Sequence, residues 1–153
     1  MSVESAEFTV RLEREAGFAF EVNFEGLDVP RLKVDELPPL GGGAGPNPAR
    51  LLVTAVAHCL SASLLFCLSK FKEDPGPLSA TVTGAVTRND EGRLRVTGIR
   101  ARLQLTKSAE DIRRLERCLG QFEDFCVVTQ SVRQGIPVTV EVVDAAGKPV
   151  FSH

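Results

Sequence analysis

The sequence predicts an α+β fold, and three observations carry that prediction. Alternating apolar and polar residues near both ends read as antiparallel strands, one long apolar run reads as a helix, and shorter helical pieces precede a closing strand. At 153 residues the chain is long enough to bury a real core, so a single domain over residues 1–153 is expected.

The elements follow in order. Phe8–Arg14 alternates, Glu15-Ala16-Gly17 supplies a turn, and Phe18–Phe24 alternates back, which predicts a hairpin. Leu32–Asp35 is a third short strand. Pro38, Pro39, Gly41–Gly43 and Gly45 then break regular structure and make a loop. In the following stretch GPNPARLLVTAVAHCL, Asn47 suits an N-cap. Pro48 suits the first helical position, where its missing N–H would be unpaired anyway. The long helix is predicted from Pro48 to Phe71, ahead of Asp74-Pro75-Gly76-Pro77. Leu78–Thr87 and Leu94–Leu105 form a second hairpin around Asn89-Asp90-Glu91-Gly92. Ser108 with Asp111 resembles a capping box, opening an amphipathic helix with Ile112, Leu115 and Leu119 on one face and Gly120 at its end. Cys126–Arg133 is a short helix stopped by Gly135, Ile136–Val143 is the closing strand, and Asp144–Lys148 turns into a tail.

Composition narrows the function. The net charge is −2, every aromatic residue is Phe, and no basic stripe is present, so nucleic acid is not the expected partner. Leu51–Leu68 approaches membrane-spanning length but contains Thr54, His58, Ser61 and Ser63 and has no companion segment; a buried helix is expected, with no membrane. The start MSVESAEFTV lacks a cationic flank and an apolar run, so no signal peptide is read there and a cytoplasmic location is expected. The histidines are His58 and His153 and no CxxC occurs, so neither a metal nor a cofactor is expected. The glycine run precedes a helix, but no Gly-Lys-Ser/Thr follows and Pro46 and Pro48 remove N–H donors, which argues against a phosphate loop. Asp35-Glu36 and Glu123-Asp124 read as surface charges.

The four cysteines, Cys59, Cys67, Cys118 and Cys126, hold the remaining chemistry. On a helical wheel at ~100° per residue, Arg50, Thr54, His58, Ser61, Ser69 and Lys72 form a polar stripe. Cys59 falls opposite, beside Leu52, Ala55, Ala62, Ser63 and Phe66. Free cysteine is among the most buried residue types, so spacing alone reads Cys59 as core packing. Desolvation raises a thiol pKa and the helix dipole fades within the first turn, so a reactive Cys59 needs a cation from another element. Cys59 and Cys67 are separated by a helical rise of ~12 Å, beyond the ~7 Å Cα limit for a disulfide. Cys118 and Cys126 have the same spacing and pair only if the chain folds back at Gly120. A disulfide is therefore expected between different elements. Cys126 starts its short helix, where backbone N–H groups favour a thiolate.

GPNPARLLVTAVAHCL resembles the central-helix motif of the OsmC/Ohr family (osmotically inducible protein C and organic hydroperoxide resistance protein), in which Gly-x-Asn-Pro leads to a mid-helix cysteine. FCVVTQS (Phe125–Ser131) followed by Gly135-Ile136-Pro137-Val138-Thr139-Val140 resembles the family's second cysteine, short helix and closing strand, and LKVDELPPL (Leu32–Leu40) its lead-in to the glycine loop. The resemblance extends from Phe8 to Val143 and implies antiparallel sheets wrapped around a long central helix in an intertwined homodimer. It also implies a thiol peroxidase. Cys59 would attack the O–O bond of an organic hydroperoxide to give a sulfenic acid, Cys126 would condense with it to a disulfide, and a dithiol reductant would restore both thiols. Catalytic members carry a glutamate directly after Asn-Pro that holds an arginine against the cysteine; here that place is Ala49, and Arg11, Arg14 and Arg31 are candidates for the arginine. A proline commonly follows the second cysteine, where this chain has Val127. The missing acid implies weak activity, and leaves two alternatives: a non-catalytic dimer binding a small hydrophobic ligand, or a redox sensor.

Overall fold

A computed structural model describes residues 5–136 and 138–153. The chain divides into two compact units, one of residues up to Ala57 with Ala80–Leu103, the other of His58–Ser79 with Gln104–His153.

In the first unit, β1 (Val10–Ala16), β2 (Ala19–Phe24) and β3 (Leu32–Val34) make an antiparallel sheet in the order β1-β2-β3. Val10 stands opposite Phe24, and Phe20 opposite Val34. Gly17, at φ 54, takes the left-handed conformation that the β1–β2 turn needs. The loop after β3 corrects one expectation, because Asp35 is not a surface charge. Its side chain is buried, and its carboxylate accepts the N–H groups of Glu36 at 2.8 Å, Gly42 at 3.1 Å and Ala44 at 3.1 Å. The bond from Ala44, helped by those from the other amides against the opposing cost of burial, holds the carboxyl below its ordinary range. The glycine run thus wraps an internal anion. A Cβ at Gly41 would sit 2.6 Å from Asp35 Oδ1, and one at Gly45 would collide with the Lys33 carbonyl oxygen, so both positions require glycine.

That loop delivers the chain to α1 (Pro48–Lys70). Asn47 caps it as expected, its Oδ1 accepting the Arg50 N–H at 3.1 Å. The helix closes at Lys70, one residue before the sequence places its end, with Glu73 N–H bonded to the Leu68 carbonyl at 3.0 Å and Lys72 left-handed at φ 55. β4 (Leu78–Arg88) and β5 (Leu94–Leu105) pair as a two-stranded sheet. Asn89 organises their turn by accepting from Glu91 N–H at 3.1 Å and Arg93 N–H at 2.9 Å. A Cβ at Gly84 would lie 2.9 Å from Val53 Cγ1, so glycine lets β4 pass close to the first half of α1. Val22, Val34, Val56 and Ala57 are the buried apolar residues of this unit.

The second unit has the larger core, Leu60, Leu64, Cys67 and Leu68 from α1 with Ile112, Leu115, Cys118 and Cys126. The amphipathic helix expected after Ser108 does not form as one piece. Ser108 makes no side-chain capping bond, a 3-10 turn covers Ala109–Asp111, and Arg114 is left-handed at φ 64 before α2 (Leu115–Leu119) begins. With this break Ile112, Leu115 and Cys118 are all buried, and Cys118 is joined to Cys67 of α1 by a disulfide with Cα atoms 5.7 Å apart. A second 3-10 turn, Phe122–Phe125, reverses the chain into α3 (Val127–Gln134), with Cys126 at its N-cap and Gly135 at φ 78 after its end.

The closing strand is shorter than expected. β6 covers Glu141–Val143, Ile136 and Val138–Val140 precede it without strand structure, and Pro137 lies outside the described residues. The tail corrects the reading in the other direction: it returns as β7 (Pro149–Ser152), antiparallel to β6, with Val140 and His153 exchanging backbone bonds at 2.9 Å. Asp144 folds it back by accepting from Ala146 N–H at 2.9 Å and Lys148 N–H at 3.0 Å, with Gly147 at φ 77.

Candidate active site

The two cysteines singled out in sequence come together inside the second unit. Cys59 sits at the twelfth residue of α1 and Cys126 at the start of α3; both are free thiols, near enough that each affects the other's ionisation. Cys126 is fully buried and Cys59 only partly. The wheel reading of Cys59 is thereby sharpened. Val56, Leu60, Ser63, Leu64 and Cys67 are buried, Leu52, Ala55, Ala62 and Phe66 are exposed, and Cys59 lies on the boundary between the two sets.

Two hydroxyls complete the site, and sequence reasoning gave neither a role. Ser63 lies one turn after Cys59 on the same helix face and contributes to lowering the Cys126 pKa. Thr129, in the first turn of α3, has its Oγ1 2.9 Å from Cys126 Sγ. Both are buried polar residues. The signal for them was the spacing: Ser63 four residues after Cys59, and Thr129 three residues after an N-cap, where capping partners meet.

The environments push the two thiols apart. Burial raises the Cys59 pKa, its bond to Cys126 raises it further, and the Val128 and Thr129 N–H groups offset only part of this. Burial also opposes ionisation at Cys126, but the neighbouring Cys59 thiol and the Thr129 and Ser63 hydroxyls together bring it below the ordinary thiol value.

Arg11, Arg14 and Arg31 are each engaged within the first sheet: Arg11 pairs with Glu25, Arg14 Nε donates to the Gly17 carbonyl at 2.8 Å, and Arg31 pairs with Glu21 at 3.2 Å. Ala49 begins α1 with no carboxylate, and Arg50 reaches back to Asn47 Oδ1 at 3.3 Å. His58 is exposed, as its stripe position implies. Among the described residues no cluster of three or more His, Cys, Asp or Glu side chains is placed to hold a metal ion.

A family model described as OsmC-like protein matches residues 41–141, more than half of the chain and a span that includes Cys59, Ser63, Cys126 and Thr129. The chain belongs to the OsmC-like family. No match to it is found among curated proteins. Solved structures show the same fold at low identity. An OsmC-like protein of unknown function from Vibrio cholerae is 16% identical, with a TM-score of 0.67 over 83% of this chain and 94% of that one. An organic hydroperoxide resistance protein from Legionella pneumophila is 20% identical, with a TM-score of 0.62 over 84% and 92%. An organic hydroperoxide resistance protein of Bacillus subtilis is 16% identical, with a TM-score of 0.59 over 86% and 95%. The OsmC-like fold expected from sequence is therefore correct.

Proposed function

We propose that this OsmC-like chain is a cytoplasmic, homodimeric thiol peroxidase acting on organic hydroperoxides. The observation that carries the reading is the pairing of two free thiols, Cys59 and Cys126, near enough to affect each other's ionisation, while the remaining cysteines are joined to each other. Cys59 sulfur attacks the terminal peroxide oxygen, the O–O bond breaks, and a sulfenic acid and an alcohol result. Cys126 sulfur then displaces the sulfenic hydroxyl, water leaves, and a Cys59–Cys126 disulfide forms. A dithiol reductant returns both thiols by exchange. The partly exposed Cys59, at the edge of an apolar helix face, suits a hydrophobic peroxide.

A second copy of the chain would cover that face. α1 is long and apolar enough to cross a membrane, yet only 39% of its apolar window is buried within the chain, and Leu65 and Phe66 remain 40% and 52% exposed. Packing two α1 helices together buries this surface without a membrane. Because α1, β4 and β5 each run through both units, we read the chain as a single domain.

The test is turnover. Wild-type protein with an organic hydroperoxide and a dithiol should consume peroxide, and Cys59→Ser should reduce the rate to the uncatalysed background. Mass mapping after stoichiometric peroxide should find Cys59 joined to Cys126; two thiols left free after that treatment would refute the mechanism.

One observation favours a second reading. Ala49, Leu52, Val86, Leu94 and Val96 help line an open groove of about 380 Å³ in the first unit, where a small apolar ligand could lodge and Cys59 would be inert. Thermal stabilisation by such a ligand, undiminished in Cys59→Ser and without peroxide turnover in the wild type, would favour binding over catalysis.

A further inference from the structure

We propose that Cys67 and Cys118 are positioning residues, whose disulfide holds the segment carrying Cys126 against α1, so that Cys126 captures an oxidised Cys59 before a second peroxide does. This rests on the peroxidase reading and gives the closed cysteine pair a part in it.

The geometry is the first argument. Cys118 and Cys126 are both fully buried, and no residue between them is: Leu119 and Phe125 are half-exposed, and Gln121, Phe122 and Glu123 are only half-buried. The segment is built of pieces too short to hold themselves, the five residues of α2, a four-residue 3-10 turn and the eight residues of α3. Up to Cys118 the chain is well fastened to the end of α1 and the turn after it. Ile112 and Leu115 are buried, Arg113 Nε donates to Glu73 Oε1 at 2.7 Å, and the Arg117 guanidinium lies 5.3 Å from the centre of the Phe71 ring. Between Cys118 and Cys126 the fastenings to α1 are lighter. Gln121 Nε2 donates to Cys67 Sγ at 3.4 Å, on the bridge itself, and Lys70 stands over the Phe125 ring at 5.8 Å. The Cys67–Cys118 bridge is thus the last firm anchor before Cys126.

Chain length is the second argument. Cys59 and Cys126 lie sixty-seven residues apart in sequence. The bridge replaces that path by two legs of eight residues, Cys59–Cys67 along α1 and Cys118–Cys126. Closure probability falls as the −3/2 power of loop length, so whenever the segment detaches, the shorter path raises the effective concentration of one thiol at the other about eightfold. That concentration decides a competition. Once Cys59 is a sulfenic acid, Cys126 sulfur displaces its hydroxyl, the Cys126 proton leaves with that hydroxyl as water, and the S–S bond closes. A second hydroperoxide reaches the same, partly exposed sulfur. It transfers one oxygen to it, leaving as an alcohol, and Cys59 becomes a sulfinic acid that a dithiol does not restore. The faster Cys126 arrives, the fewer Cys59 side chains are lost. The bridge outlasts each cycle because neither of its sulfurs is accessible to the reductant.

The experiment compares wild type with Cys67→Val combined with Cys118→Ala, which removes the bridge and keeps the core filled with apolar side chains. Cys67→Ala with Cys118→Ala, which adds no bulk, repeats the comparison if the first variant does not fold. Val22→Ala in β2 is the control for lost stability alone, since Val22 is buried in the other unit. The first measurement uses no peroxide. Each protein is equilibrated in glutathione buffers, and mass mapping after alkylation gives the fraction of Cys59–Cys126 closed, hence the effective concentration of the pair. It should fall about eightfold or more without the bridge and stay at the wild-type value in Val22→Ala. The second adds excess cumene hydroperoxide without reductant. The first equivalent should be consumed at the wild-type rate, while the ratio of sulfinic Cys59 to Cys59–Cys126 disulfide rises by the same factor. A change of less than about twofold in the glutathione measurement overturns the proposal, even where peroxide is turned over. Loss of the first-equivalent rate together with closure also overturns it, because the bridge would then support the whole site rather than Cys126. If closure falls as expected but wild type consumes no peroxide, the peroxidase reading fails and the positioning of Cys126 by the bridge stands.

Discussion

Two cysteine pairs link the same two segments of the second unit. Cys67 with Cys118, and Cys59 with Cys126, each join α1 to the stretch after residue 114. The spacing is eight residues on both segments, used in opposite directions because the 3-10 turn at Phe122–Phe125 reverses the chain. The pairs nevertheless differ in state. Cys67 and Cys118 are both buried among Leu64, Leu68, Ile112 and Leu115 and are closed as a disulfide. Cys59 and Cys126 are open, with two hydroxyls and the N-terminus of α3 around them. Apolar surroundings suit a neutral cross-link, and polar neighbours suit a thiol pair kept for chemistry. The contrast teaches that the neighbours of a thiol decide its use more than its place in the spacing does.

The closed pair offers the largest way to break this comparison. If it is a staple, Cys67→Ser with Cys118→Ser should lower stability by about 4 kcal/mol, the chain-entropy value for a loop of this length. The cross-linked residues are 51 apart in sequence. Thermal melting without reductant measures the change, and a loss under 1 kcal/mol would remove the staple reading. A dithiol sufficient to open a Cys59–Cys126 disulfide should leave Cys67–Cys118 intact, since neither of its sulfurs is accessible. Alkylation mapping that finds all four thiols released at the same reductant concentration would erase the distinction between the pairs.

Much of this arrangement was legible in the sequence. Asn47-Pro48 fixed the start of α1, the alternation at Phe8–Phe24 gave the first hairpin, and Cys126 before VVTQSVR placed α3 with its N-cap. These are local signals, set by backbone donors and side-chain period. What was not legible depends on tertiary contact. Ser108-x-x-Asp111 has the spacing of a capping box, yet the buried positions of Ile112, Leu115 and Cys118 accompany a break at Arg114 instead. Asp35 carries a charge and was read as solvated, but the amides of its own glycine loop solvate it internally. Which cysteines close could not be read from spacing, because equal intervals allow more than one pairing until the reversal at Phe122 is known. Ser63 and Thr129 were equally silent, as ordinary helix residues until a sulfur lies against them.

Perturbing the other end of α1 sharpens the comparison by showing what is common to both pairs. Asp35 has its pKa lowered on folding by the amides it accepts from, Ala44 first. Its contribution to stability is thus fully present above the unfolded carboxylate pKa and is lost as pH falls through the folded one. Asp35→Asn should therefore be less stable than wild type at neutral pH, with the gap in melting temperature closing as the solution is acidified through the carboxylate range. A gap independent of pH would mean that the side chain acts by shape rather than charge. Asn47→Ala removes the cap from α1 and should cost about 1 kcal/mol, with Cys67–Cys118 still closed and Cys59–Cys126 still open.

The smallest effect tests the contrast most directly. Gln121 Nε2 donates to Cys67 Sγ at 3.4 Å, which makes it the counterpart at the closed pair of Thr129 at the open one. A disulfide sulfur is a neutral, weak acceptor, and Gln121 is only part-buried, so water can replace the lost partner. Gln121→Met, which keeps the length of the side chain, should then cost only about 0.5 kcal/mol in melting experiments, at the low end for an intramolecular hydrogen bond. Thr129→Val removes the oxygen that accepts the Cys126 S–H and that lowers the Cys126 pKa, and should raise that titration by about one pH unit. If Gln121→Met proves as costly as the staple itself, the amide is holding the closed pair together. If Thr129→Val leaves the titration unmoved, the hydroxyl does not tune the open pair, and the two pairs differ only in whether they have been oxidised.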